Sequence, residues 1–235
     1  MKINCVWEHN GNDSILFANN FVGAFTRGAS KEEAIRKMPE EIRRFQRWLG
    51  EEQLDDYDIE IVQEKESVLQ IRDADSDVFF TTEDGPLRAE EYQYLKSLAL
   101  KSAEDFYALY NSFPDKHKSA APYRKTFYGE VPRTAEEMYQ HTKNVNEYYF
   151  SEVGVKSDNE GTIVSCRARG FAALESIAGY LSLEPVTGSC DEQWSVRKVL
   201  RRFIWHDRIH AKAMYRMGIR TFGPDAIPDL FGFAR

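Results

Sequence analysis

The chain has 235 residues and a formal charge of −7, and 42% of its side chains are hydrophobic. That is enough apolar material for a buried core, so a wholly disordered chain is excluded, and the acidic balance argues against a general binder of nucleic acid or of anionic membranes. The opening Met1-Lys2-Ile3-Asn4-Cys5-Val6-Trp7-Glu8 lacks a basic stretch followed by an apolar run, and no later segment approaches about 18 apolar residues, so neither export nor a membrane span is expected.

Taken in chain order, residues 3–9, 14–19 and 22–27 are short apolar-rich runs separated by Asn10-Gly11-Asn12-Asp13 and Asn19-Asn20, which predicts a three-stranded meander. Ser30-Lys31-Glu32-Glu33 is a capping box: the Ser30 hydroxyl accepts from the first helical turn and Glu33 reaches back. It opens a helix expected to run to Leu49 and end at Gly50. Ile59–Val62 reads as a fourth strand and Val68–Ile71 as a fifth. Asp84-Gly85-Pro86 then breaks the chain, and the domain boundary is expected there, giving units 1–86 and 87–235.

Beyond Pro86 the apolar period changes to that of helices. Leu95, Leu98, Ser102, Phe106, Leu109 and Phe113 step by three and four, predicting one helix over 87–113, followed by a Pro-containing connection over 114–133. Thr134-Ala135-Glu136-Glu137 is a second capping box, opening a helix that Gly154 can terminate. A third helix is expected over 162–182 and a fourth over 195–217, ahead of a Pro- and Gly-containing tail. The fold class is therefore α+β: a small β-β-β-α-β unit followed by an all-α four-helix bundle, whose interior is the usual place for a metal or ligand.

Cys5, Cys166 and Cys190 are odd in number, far apart and without a C-x-x-C pair, so neither a disulfide framework nor a Cys-type zinc site is expected, and a reducing cytoplasm fits. Histidines remain as ligands. His206 and His210 are four apart in the last helix, which puts both rings on one face. At about 100° per residue that face lies beside Val199, Phe203, Met214 and Met217, and roughly opposite an arc of Arg197, Arg201, Arg208, Lys212 and Arg216. The same projection places His141 with Met138, Val145 and Tyr148 on the inner face of the second helix. Three inward histidines on two helices can hold a metal and leave one coordination position open, whereas His9 and His117 read as solvated. His206-Asp207-x-x-His210 also approaches the H-E-x-x-H of metalloproteases, with a shorter carboxylate where the general base would stand.

Two family resemblances attach to these residues. The upstream helix with its single inward His141, followed by Trp194-Ser195-Val196-Arg197-Lys198-Val199-Leu200-Arg201-Arg202-Phe203-Ile204-Trp205-His206 and His210 one turn later, resembles the DinB-like metal-binding bundles over about residues 87–220. The resemblance implies a divalent metal, zinc or nickel, on His141, His206 and His210, in a superfamily that includes low-molecular-weight-thiol S-transferases and a thiol-dependent maleylpyruvate isomerase. The N-terminal Phe21-Val22-Gly23-Ala24-Phe25-Thr26-Arg27-Gly28-Ala29-Ser30-Lys31-Glu32-Glu33-Ala34 resembles the HicB-like antitoxin fold, with Val22 where that family usually has Pro. HicB-like domains bind and mask a toxin ribonuclease. No helix-turn-helix accompanies this one, so a protein partner, a regulatory role or a homodimer is what the likeness implies.

Arg167 falls on the apolar seam of the third helix between Ile163 and Phe171, where burial demands a partner. Two readings stand: an ion pair with an inward carboxylate such as Glu152, or an Arg holding an anionic group of a thiol cofactor or substrate. Arg202, one turn before His206, is a second candidate at the pocket rim. The sequence thus points to a metal-dependent transferase or hydrolase acting on a small molecule, with a non-catalytic binding or regulatory protein holding a structural metal as the alternative.

Overall fold

A computed structural model describes residues 1–54, 56–126 and 129–234. Positions 127 and 128 of the expected 114–133 connection, and position 235 of the tail, lie outside the described residues. The chain is α+β and divides into two compact units, Met1–Asp84 together with Ala234, and Gly85–Phe233.

In the first unit β1 (Lys2–Asn10), β2 (Asp13–Ala18) and β3 (Phe25–Gly28) form the antiparallel meander, and β4 (Asp58–Glu66) returns parallel to β1, giving the order β3-β2-β1-β4. Helix α1 (Lys31–Leu49) makes that return. Its start and stop are local chemistry: Ser30 accepts from the Glu33 N–H, Glu33 accepts from the Ala29 N–H, and Gly50 takes the left-handed conformation at φ 70°. Ala34, Met38, Ile42, Phe45 and Trp48, spaced four, four, three and three, are its buried stripe, packed on β2 and β3.

The expected fifth strand is absent. Val68 is 92% exposed and Ile71–Asp73 form a single 3₁₀ turn, so the segment delivers Ile71, Val78 and Phe80 singly to the core instead of pairing with β4. Side chains replace the missing ladder: the Gln63 amide donates to Phe79 O and accepts from the Thr81 N–H, and Lys65 pairs with Asp77.

Cys5 and Val6 are both buried because the β1–β4 register shifts between them, a bulge that breaks the in-out alternation. After it Glu8 points inward, accepting from the Ser76 hydroxyl and the Asp77 N–H. Burial pushes its carboxyl up to about 7, with neighbouring Asp77 adding and Ser76 and Lys65 opposing. The folded state therefore holds a proton that the unfolded chain releases near pH 4.5, so Glu8 erodes stability as pH rises from about 4.5 to about 7 and no further above it. Glu8→Gln should remove that decline, and urea unfolding at pH 5 and pH 8 should show a smaller loss for the variant than for the wild type.

In the second unit the long helices are α2 (Ala89–Asn111), α5 (Ile163–Glu175) and α6 (Val196–Phe222). α2 packs on both α5 and α6. The single helix expected from Thr134 to Gly154 is two, α3 (Ala135–Lys143) and α4 (Val145–Ser151), parted at Asn144. Asparagines compete with helical hydrogen bonding, and here the buried Asn146 amide donates to Asp158 O and to Cys166 O of α5. α5 also stops seven residues before the expected 182, because the Ser176 hydroxyl bonds back to Ala173 O and Gly179 turns left-handed at φ 72°. Two short antiparallel pairs, β5 (Lys125–Thr126) with β6 (Gly129–Glu130) and β7 (Val186–Thr187) with β8 (Gln193–Trp194), occur in connections that were expected to be irregular.

α4 meets α5 where Gly170 faces Phe150: a Cβ at Gly170 would lie 2.1 Å from the Phe150 ring. In an open helix Gly→Ala stabilises by about 1 kcal/mol. Gly170→Ala should instead destabilise by about 1–3 kcal/mol, the usual result of overpacking, and thermal unfolding would read the sign. The basic arc of α6 is not a purely solvated face either. Arg201 and Arg208 are buried, and the Arg208 guanidinium lies 5.4 Å from the ring of Phe233, in the tail. No described helix is long and apolar enough to cross a membrane.

Candidate metal centre

His206 and His210 project from one face of α6, a helix started by the Ser195 hydroxyl accepting from the Lys198 N–H. His141 comes from the last turn of α3, whose capping box is closed by Thr134 and Glu137. The three ring centroids stand 4.5 Å (His206 to His210), 4.6 Å (His141 to His210) and 5.3 Å (His141 to His206) apart. One ligand atom from each lies within 4.8 Å of the others.

Two nitrogens at tetrahedral positions about 2.0–2.1 Å from one ion are about 3.3 Å apart, so small side-chain rotations would bring the three into coordination. His206 Nδ1 is buried without a hydrogen-bond partner, unusual for a histidine held only by core packing. Burial, and then the neighbouring His210 and His141, hold the His206 imidazole well below its usual pKa, and burial lowers that of His141 too. Both shifts favour the neutral imidazole, the form a metal requires. His141 opens to solvent, and among the described residues no other His, Cys, Asp or Glu joins the group. The donor set fits a divalent ion with one open position.

Directly behind the histidines lies a buried polar network. Arg167 of α5 is fully buried and pairs with both carboxylate oxygens of Asp207, Nη2 to Oδ1 at 3.1 Å, while its Nη1 also donates to Ala99 O at 3.2 Å. Ser102 of α2 donates to the same carboxylate, and the guanidinium stacks 4.1 Å from the Phe203 ring centroid. The inward carboxylate is thus Asp207 and not Glu152, which instead accepts from the Ser189 N–H. One step of about 100° along α6 carries the chain from His206 to Asp207, from the side that faces His141 and His210 to the side that faces Arg167 and Ser102. Asp207 is engaged there and is not arranged as a general base.

Arg202 lies one turn before His206, its guanidinium 5.4 Å, 5.6 Å and 5.0 Å from the rings of Tyr149, Trp194 and Trp205. His117 is exposed, as expected; His9, expected to be solvated, is instead half-buried, stacked on Trp7 at 4.1 Å and 3.2 Å from Glu64. Sequence reasoning missed the Ser102–Asp207–Arg167 network and Tyr149, whose ring stands edge-on to His206 at 6.0 Å. Asp207 carried a signal, a carboxylate next to a projected interior histidine on the last helix; Tyr149 carried none.

Comparison with family models, with curated proteins and with solved structures gives no match to this chain.

Proposed function

We propose that the second unit is a DinB-like four-helix bundle in which His141, His206 and His210 hold one divalent ion, zinc or nickel, and that the protein is a metal-dependent transferase or hydrolase acting on a small molecule. The observation that carries this is the convergence of three imidazoles from two helices, with α3 and α4 together taking one place beside α2, α5 and α6. A divalent ion with an open position acts as a Lewis acid and activates a bound water or thiol at neutral pH. The three-ligand set favours chemistry over a purely structural metal, which would have four protein ligands. The position of Arg202 one turn before His206, over the Tyr149 ring, supports an anionic group of a substrate or of a low-molecular-weight thiol as what this residue would meet. Arg167 holds the helices through Asp207.

The order β1-β2-β3-α1-β4 supports a HicB-like reading of the first unit and a protein partner or a second copy as what it binds. Three free cysteines support a cytoplasmic location. The test is metal analysis of untagged protein, where one zinc or nickel per chain is expected, followed by assays of thiol transfer and hydrolysis with and without a chelator. A chain that retains no divalent ion after exposure to either metal sinks the reading. Metal-independent turnover, or none with any thiol and electrophile offered, leaves the ion structural.

A further inference from the structure

The wall beside His206 contains a tyrosine that the reading above does not use. Tyr149 on α4 is 3% exposed, and its ring packs against Phe203 at 5.2 Å, Trp194 at 5.6 Å and His206 at 6.0 Å, the last at an interplanar angle of 82°. The Arg202 guanidinium covers it at 5.4 Å. A tyrosine this deeply placed ordinarily satisfies its hydroxyl within the protein. The other buried tyrosines of the same unit do so: Tyr92 donates to Glu175, and Tyr139 accepts from the Ile163 N–H. The Tyr149 hydroxyl has no hydrogen bond to any described residue. The ring it abuts, His206, also carries a buried nitrogen without a partner. At the three-histidine cluster the ring of Tyr149, whose hydroxyl has no partner among the described residues, therefore lies against a ring with an unpartnered nitrogen, in a unit whose other buried tyrosines are satisfied.

We infer that the Tyr149 hydroxyl is the hydrogen-bond donor for the exogenous ligand at the centre, and that this ligand is a small anionic donor. The inference rests on the metal reading above. A phenol donates at neutral pH, and a hydrogen bond to a charged acceptor is among the stronger ones. The edge-on ring contact with His206, the Arg202 cation over its face and the flanking Trp194 and Phe203 rings hold Tyr149 in one orientation, so the donor costs little ordering when the ligand enters.

The experiment uses the full chain loaded with cobalt(II), with azide as the anionic probe, followed through the visible bands of the ion. Tyr149→Phe keeps the ring contacts and removes only the hydroxyl. It should bind cobalt with wild-type stoichiometry while its azide dissociation constant rises about tenfold or more. Tyr148→Phe, which removes a neighbouring, more exposed hydroxyl, should leave azide binding at the wild-type value. Unchanged azide affinity in Tyr149→Phe, or an equal loss in Tyr148→Phe, overturns the assignment while the metal centre stands. A wild-type chain that takes up no cobalt overturns the metal reading, and this inference with it.

Discussion

Asp207→Asn should lower the stability of the helical unit by about 3–5 kcal/mol, because it leaves the fully buried guanidinium of Arg167 facing a neutral amide. The cost arises from the charge left behind more than from the bond lost. Asp207 accepts from Arg167 on α5 and Ser102 on α2 while it stands on α6, so one carboxylate ties three helices. For a unit of this size the loss corresponds to a fall in Tm of about 10 °C. Arg167→Met should cost a similar amount by stranding the carboxylate. The double variant Asp207→Leu with Arg167→Met should recover much of the loss, since a buried pair replaced by apolar groups of similar volume is often neutral. Calorimetry of the three variants reads this directly, and additive losses in the double variant would show that the two side chains do not act as a pair.

His206→Ala should reduce divalent-metal affinity by at least about 100-fold, the second large effect, because it removes the imidazole shared between the other two rings. Added zinc stabilises a protein in proportion to how tightly the folded state binds it, so the rise in Tm seen with wild type should vanish in this variant. His117→Ala, on an exposed histidine, should leave the zinc response intact. Without metal, His206→Ala should unfold close to the wild-type temperature, which separates loss of the site from loss of the fold. A zinc response that survives His206→Ala would place the metal elsewhere.

Features governed by a few neighbouring residues were legible in the sequence. Helix α1 begins and ends where Ser30, Glu33 and Gly50 dictate, since a cap is settled within one turn. The shared face of His206 and His210 follows from helical periodicity alone. Where the chain had to choose between two locally acceptable states, periodicity was silent. The apolar residues of 134–154 suit one long helix, yet Asn146 finds acceptors on Asp158 and on α5, and α3 parts from α4. Val68–Ile71 has strand composition, but Gln63 side-chain bonds hold the following segment and no fifth ladder forms.

The site divides in the same way. Sequence determined that α6 offers two imidazoles on one side and that Arg167, placed on an apolar seam, needs an anionic partner. Which carboxylate answers it was decided only in three dimensions, because Glu152, just past the end of α4, and Asp207 on α6 are both buried. The packing of α2 on α5 and α6 brings Asp207 to Arg167, while the Ser189 N–H takes Glu152. Tyr149 belongs wholly to the tertiary structure: its place against His206 depends on how α4 leaves Asn144 and meets α6, and no spacing in the sequence encodes a distance between helices.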